Sequence, residues 1–157
     1  MIDLALALIL VLAACGGVAA TTTSGAAGGA CVNAKAAHHA YVVVEHISRK
    51  TVQRCVGFDG NSLAGVTMMK QSGIEYQSAT TSFGLAVCQI DNEPRQFAEC
   101  LPKNQPYWSL WLDSGGAWQS AQVGISEIQV HDHEALGWRY VSASDPSPSP
   151  PPSPKGT

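Results

Sequence analysis

The chain has 157 residues, a formal net charge of −3 and only 9 Lys and Arg, with 45% hydrophobic residues. That length suits one domain. The charge offers no basic face of the kind that tracks phosphates, which argues against a nucleic-acid partner. Both ends differ in composition from the middle, so the folded part is expected over residues 38–142, a size that holds one modest core.

Residues 4–14 form an uncharged apolar run. It is long enough for the hydrophobic region of an export signal and too short to span a bilayer as a helix. It ends in Leu12-Ala13-Ala14-Cys15, followed by Gly16-Gly17. This resembles a bacterial lipobox, which makes residues 1–15 signal plus lipobox and Cys15 the lipidated new N-terminus. Asp3 stands where a basic residue is usual, and the competing reading is a plain signal cut near Ala20. An acyl chain tethers a protein by its own burial in lipid, without a spanning helix. The expectation is an extracytoplasmic protein, anchored to the membrane surface or secreted.

Residues 16–37 are Gly, Ala, Thr and Ser with almost no large apolar side chain. Such a segment cannot offset its ordering entropy by burial and reads as a flexible stalk. Beyond Cys15 four cysteines remain: Cys31, Cys55, Cys88 and Cys100. In an oxidising compartment an even set reads as a disulfide framework with three connectivities open. The short interval between Cys88 and Cys100 favours that pair, and Cys31 with Cys55 follows by elimination. CxxC spacing is missing, which argues against zinc.

In chain order, Tyr41-Val42-Val43-Val44-Glu45-His46-Ile47 is β-branched and predicts a strand. Residues 51–58 alternate after a polar Ser48-Arg49-Lys50 turn and complete a hairpin. Asp59-Gly60-Asn61-Ser62 can supply an N-cap for a helix over 63–72. Leu63, Val66 and Met69 would face the sheet, and Gly73 would stop the helix. Residues 83–90 form a further strand, and 91–106 a polar loop punctuated by Pro94, Pro102 and Pro106. In residues 107–113 strand alternation puts Trp108, Leu110 and Leu112 on one face and Tyr107, Ser109 and Trp111 on the other. Ser114-Gly115-Gly116 turns the chain, 118–123 pairs back, and 136–141 closes the domain. Residues 143–157 are rich in Pro and Ser and read as a disordered, extended tail. The expected fold is α+β and β-grasp-like, a mostly antiparallel sheet with one helix packed on one face.

All four tryptophans, Trp108, Trp111, Trp118 and Trp138, lie in the last third. They serve either as core or as a partly exposed ligand surface. His131-Asp132-His133-Glu134 could chelate from a strand, but without a third ligand nearby it reads as a polar turn, and no metal is assigned. A nucleophile elbow, a zincin motif and a phosphate loop are all missing, so the chain is expected not to be an enzyme. No cofactor is required.

Thr81-Ser82-Phe83-Gly84-Leu85-Ala86-Val87, then Ile90-Asp91-Asn92, Tyr107-Trp108-Ser109-Leu110, Gly124-Ile125 and the Asp132-His133-Glu134 turn occur in that order. Together they resemble the C-terminal β-domain of the vitamin B12 carriers transcobalamin and intrinsic factor. The helix after Asp59-Gly60 fits the same module. The Cys55, Cys88 and Cys100 set with Gly137-Trp138-Arg139-Tyr140 is similar to a stand-alone, exported bacterial branch. The resemblance implies a cobalamin-contacting face made of Ser82, Phe83, Gly84 and Leu85 with Trp108, Ser109 and Leu110. It also implies a vitamin-uptake transporter as a partner. The carriers' helical barrel has no counterpart here, so at best half of such a site is present. The functional expectation is a tethered module binding a corrinoid or another amphipathic small molecule. The alternative is a cell-envelope protein-interaction module with no small ligand.

Overall fold

The computed structural model describes residues 30–156; Cys15, the apolar run before it and most of the expected stalk lie outside the described residues. The elements are β1 (His38–Glu45), β2 (Thr51–Phe58), β3 (Leu63–Ala64), α1 (Gly65–Ser72), β4 (Tyr76–Thr81) and β5 (Gly84–Ile90). They continue with β6 (Tyr107–Ser114), β7 (Ala117–Ser120), a 3-10 turn (Ile125–Glu127), β8 (Gln129–Val130) and β9 (Ala135–Val141).

Five strands form the main sheet in the order β2-β1-β9-β6-β7. β1 and β9 run parallel, and the other neighbours are antiparallel. The fold is therefore α+β and β-grasp-like, with one α-helix among the described residues, on one face of a mixed sheet. The β1–β2 hairpin keeps one register from His38↔Phe58 to Glu45↔Thr51. Gly115 at φ 69° and Gly116 at φ 83° form the two-residue β6–β7 turn. A hairpin of this length needs left-handed backbone at both positions, which glycine adopts without a Cβ penalty.

Alternation along the strands sorts the sheet into two faces. Ala40, Val42 and Val44 of β1 and Leu136 and Trp138 of β9 point inward. They pack against Met68 and Met69 of α1 and Val87 and Ile90 of β5. Burying each such large apolar side chain contributes roughly 1.5–3 kcal/mol.

The helix begins two residues later than the sequence suggests. Leu63 and Ala64 are extended and pair with β8, and Ala64 stands at the N-cap with no side-chain hydrogen bond, so the Asp59–Ser62 turn does not cap it. Gly65 opens the helix because the backbone there is crowded: a Cβ would lie 2.8 Å from the Ile125 carbonyl oxygen. Of the expected Leu63, Val66 and Met69, Met69 is fully buried together with Met68, Leu63 and Val66 pack against the core only partly buried, and Gly73 at φ 72° ends the helix. β5 pairs with β4 instead of joining the main sheet. β4 carries no strand pattern of its own, since its residues are mostly polar and exposed.

Both disulfides, Cys31–Cys55 and Cys88–Cys100, form as expected. They place the domain in an oxidising environment. Among the described residues no helix is long and apolar enough to cross a membrane.

Two boundary expectations are corrected. Residues 31–37 belong to the folded part rather than to the stalk. The Cys31–Cys55 bond holds them, Val32 N donates to Cys55 O at 3.0 Å, and Gly57 N donates to Val32 O at 2.7 Å. Nor is the proline-rich segment free. Pro151 is buried, and side chains of Arg139, Gln53 and Tyr41 hydrogen-bond the backbone from Ser149 to Gly156 across the outer face of the sheet.

Candidate functional site: a cleft beside the β4–β5 hairpin

The β4–β5 hairpin faces β6 across a cleft of about 250 Å³. Three tight contacts fix the hairpin tip. Thr81 Oγ1 donates to Gly84 O at 2.6 Å and accepts from Phe83 N at 3.3 Å. Ser126 Oγ accepts from Leu85 N at 3.0 Å. Gly124 N donates to Phe83 O at 2.6 Å, and a Cβ on Gly124 would sit 2.6 Å from backbone atoms of Gly84 and Leu85. Gly84 itself has φ 110°, and its missing Cβ leaves room for Ser126 Oγ. This tip therefore holds Phe83 in place without burying it.

The rim of the cleft is apolar and open. Phe83, Leu101 and Val123 are 45%, 36% and 41% exposed, and all three border the cleft. Single exposed apolar residues are ordinary, but three gathered at one concavity are not. The floor is made of Trp108, Leu110 and Trp138. Trp108 donates its indole N–H to Glu93 O at 2.9 Å and meets Tyr140 edge-on at 5.4 Å. Burial pushes the Tyr140 hydroxyl above its ordinary pKa. Trp138 is buried as well, but its indole nitrogen has no hydrogen-bond partner. A buried donor without an acceptor is rare and costly.

Of the residues expected to bind ligand, Phe83, Leu85, Trp108, Ser109 and Leu110 line this one cleft. Ser82 and Gly84 do not. Ser82 is exposed at the tip, and both border an adjoining depression that shares Phe83, Leu85 and Val123 with the cleft and reaches Ser126 and Glu127. Leu101 and Val123 join the cleft residues, as does Trp138 from the set of tryptophans expected as core or ligand surface. Leu101 reaches the rim because its neighbour Cys100 is bonded to Cys88 of β5. Val123 does so because Gly124 lies against the hairpin tip. Neither placement has a local sequence signal.

Other aromatics and histidines lie away from the cleft. Trp111 and Trp118 lie on the opposite face of the sheet. Buried His46 sits between Asp91 Oδ2 at 3.3 Å and Glu93 Oε2 at 3.2 Å, steadying the loop that receives the Trp108 bond. In the 131–134 turn, Asp132 Oδ1 accepts from His39 N at 2.9 Å, and that bond leads in holding Asp132 below its ordinary pKa. Glu134 accepts from His131 N at 2.8 Å and from Ser114 Oγ at 2.7 Å. Among the described residues no group of three or more His, Cys, Asp or Glu is placed to hold a metal.

Neither a protein-family model nor a curated protein matches the chain. Among solved structures, it is similar to a proposed metal-binding protein from Ruminococcus gnavus, with a TM-score of 0.48 and 18% identity. The match covers 67% of this chain and 97% of that one.

Proposed function

We propose that this is an exported ligand-binding module, tethered through Cys15, whose cleft takes an amphipathic small molecule of the corrinoid kind and passes it to an uptake partner. The observation that carries the reading is one arrangement: Phe83, Leu101 and Val123 open at the rim above a floor of Trp108, Leu110 and Trp138. Such a site suits a ligand with an apolar edge. At about 250 Å³ the cleft is smaller than the roughly 300–1,000 Å³ of sites that enclose a drug-sized ligand. A corrin would therefore be gripped by one edge, with a second protein covering the rest.

The test is a titration of the protein with cyanocobalamin and aquocobalamin, followed through the corrin absorption spectrum and tryptophan emission. Saturable binding that is weakened by Phe83→Ser and by Leu101→Ser supports the proposal. No saturation up to about 1 mM, the weak end of specific affinity, sinks the corrinoid reading and leaves the rim as a protein-docking surface. The tether is tested separately: Cys15→Ser should abolish palmitate labelling and release the protein from membranes.

A further inference from the structure

The outer face of the sheet, opposite the cleft, carries a second site. Gln53 of β2, Val43 of β1, Gly137 of β9 and Trp111 of β6 form one row across four strands. The proline-rich segment follows that row. Residues 148–154 adopt no helix, strand or turn, and the six prolines from Pro146 to Pro154 favour an extended polyproline conformation.

At one end, Arg139 Nη1 donates to Ser149 O at 3.3 Å and Pro150 O at 3.0 Å. Arg139 is itself oriented by buried Glu45, at 3.4 Å. Pro151 and the Trp118 ring both occupy the space left by the missing side chain of Gly137, where a Cβ would approach them at 2.7 and 2.6 Å. At the other end, the Gln53 amide donates to Lys155 O at 2.8 Å and accepts from Lys155 N at 2.9 Å. Tyr41 Oη donates to Gly156 O at 2.8 Å. The span is consistent: four polyproline residues from Pro151 to Lys155 cover about 12 Å at ~3.1 Å each. Crossing from β9 over β1 to β2 takes two strand spacings, about 10 Å. Val43 lies between these points and is buried although it faces outward.

An aromatic slot for a proline, flanked by side-chain donors to backbone carbonyls, is the chemistry of polyproline recognition. The chain's own segment does not use all of it. The indole nitrogens of Trp111 and Trp118, both on this face, are buried and have no acceptor. We propose that this face is a binding site for an extended proline-rich segment of a partner protein, and that residues 145–156 occupy it in cis as a replaceable ligand.

The test uses the full chain and a fluorescein-labelled peptide copying residues 145–156. Pro151→Asp in the protein's own segment should open the site. The proposal expects the peptide to bind that variant with a Kd below about 0.1 mM. It expects binding to the unaltered chain to be at least roughly tenfold weaker, because a tethered competitor acts at an effective concentration near millimolar. Adding Gln53→Ala and Arg139→Ala to the opened variant should abolish binding. Three results would overturn the proposal. One is the absence of saturable binding to a folded Pro151→Asp chain. The second is loss of the native near-UV circular dichroism in that variant, which would make the segment part of the core rather than a ligand. The third is concentration-dependent dimerisation of the unaltered chain by exchange of the segment, which would make the occupant a second copy.

Discussion

Trp108 donates its indole N–H to the Glu93 carbonyl at 2.9 Å, whereas Trp138, two strand positions away on the same inner face, donates to nothing. The two rings are comparably buried, at 3% and 2% exposure, so the difference lies in the polar atom. Trp108→Phe deletes the donor and leaves a carbonyl unpaired, at a cost of about 1–3 kcal/mol, on top of the lost ring volume. Trp138→Phe removes an unsatisfied donor, which offsets its volume loss and brings the net change near zero. Urea unfolding of both variants measures the contrast. Equal destabilisation would mean that the Trp138 nitrogen has a partner in solution.

Gly124 and Gly60 separate close packing from mere turn composition. A Cβ at Gly124 would meet the Gly84–Leu85 backbone at 2.6 Å, while at Gly60 the nearest atom is Ser62 O at 3.5 Å. Gly124→Ala is expected to cost roughly 1–3 kcal/mol, as forced overpacking does. It should also displace Phe83 from the rim and weaken ligand binding. Gly60→Ala should stay within about 0.5 kcal/mol of the parent. Thermal melts of the two variants decide the matter, and a harmless Gly124→Ala would refute the clamp.

The disulfides close intervals of 24 and 12 residues. On the loop-entropy model each contributes about 3 kcal/mol, so removing either pair should lower the unfolding midpoint by a similar amount. Their effects on the cleft should differ. Cys88→Ser with Cys100→Ser frees Leu101 and should impair binding at the rim. Cys31→Ser with Cys55→Ser should leave the rim intact, and hydrogen exchange of the 96–104 loop in both variants would report it.

Glu134 gives the fold an acid-sensitive contact. Burial alone would push its pKa up. The donors from His131 N, Ser114 Oγ and the His131 ring outweigh that and hold it below its ordinary 4.5. With the folded value below the unfolded one, the stabilisation is complete above pH 4.5 and is lost as the pH falls through the folded pKa. The stability difference between the parent and Glu134→Gln should be on the order of 1 kcal/mol, flat from neutral pH down to 4.5. It should then close on further acidification. A gap that persists unchanged at pH 2 would contradict this account.

Local pattern determined a good deal of this protein. The β-branched run before Glu45, the alternation from Tyr107 to Asp113 and the Gly115-Gly116 turn place strands and a hairpin, because side-chain period and glycine's positive φ act within a few residues. Oxidising-compartment cysteines were legible too, since four remain after Cys15 and one interval is short. What the local pattern could not supply was decided by contacts distant in the chain. β4 is polar, yet it is a strand because β5 offers it a ladder, and Leu63 leaves the helix to pair with Val130. The cleft combines Phe83, Leu101, Val123 and Trp138, brought together by a disulfide and one close glycine approach. Composition predicts that a proline-serine segment forms no core of its own. It cannot reveal that Gly137 and Arg139 of β9 line up with Gln53 of β2 to hold that segment, because only the folded sheet puts them on one face.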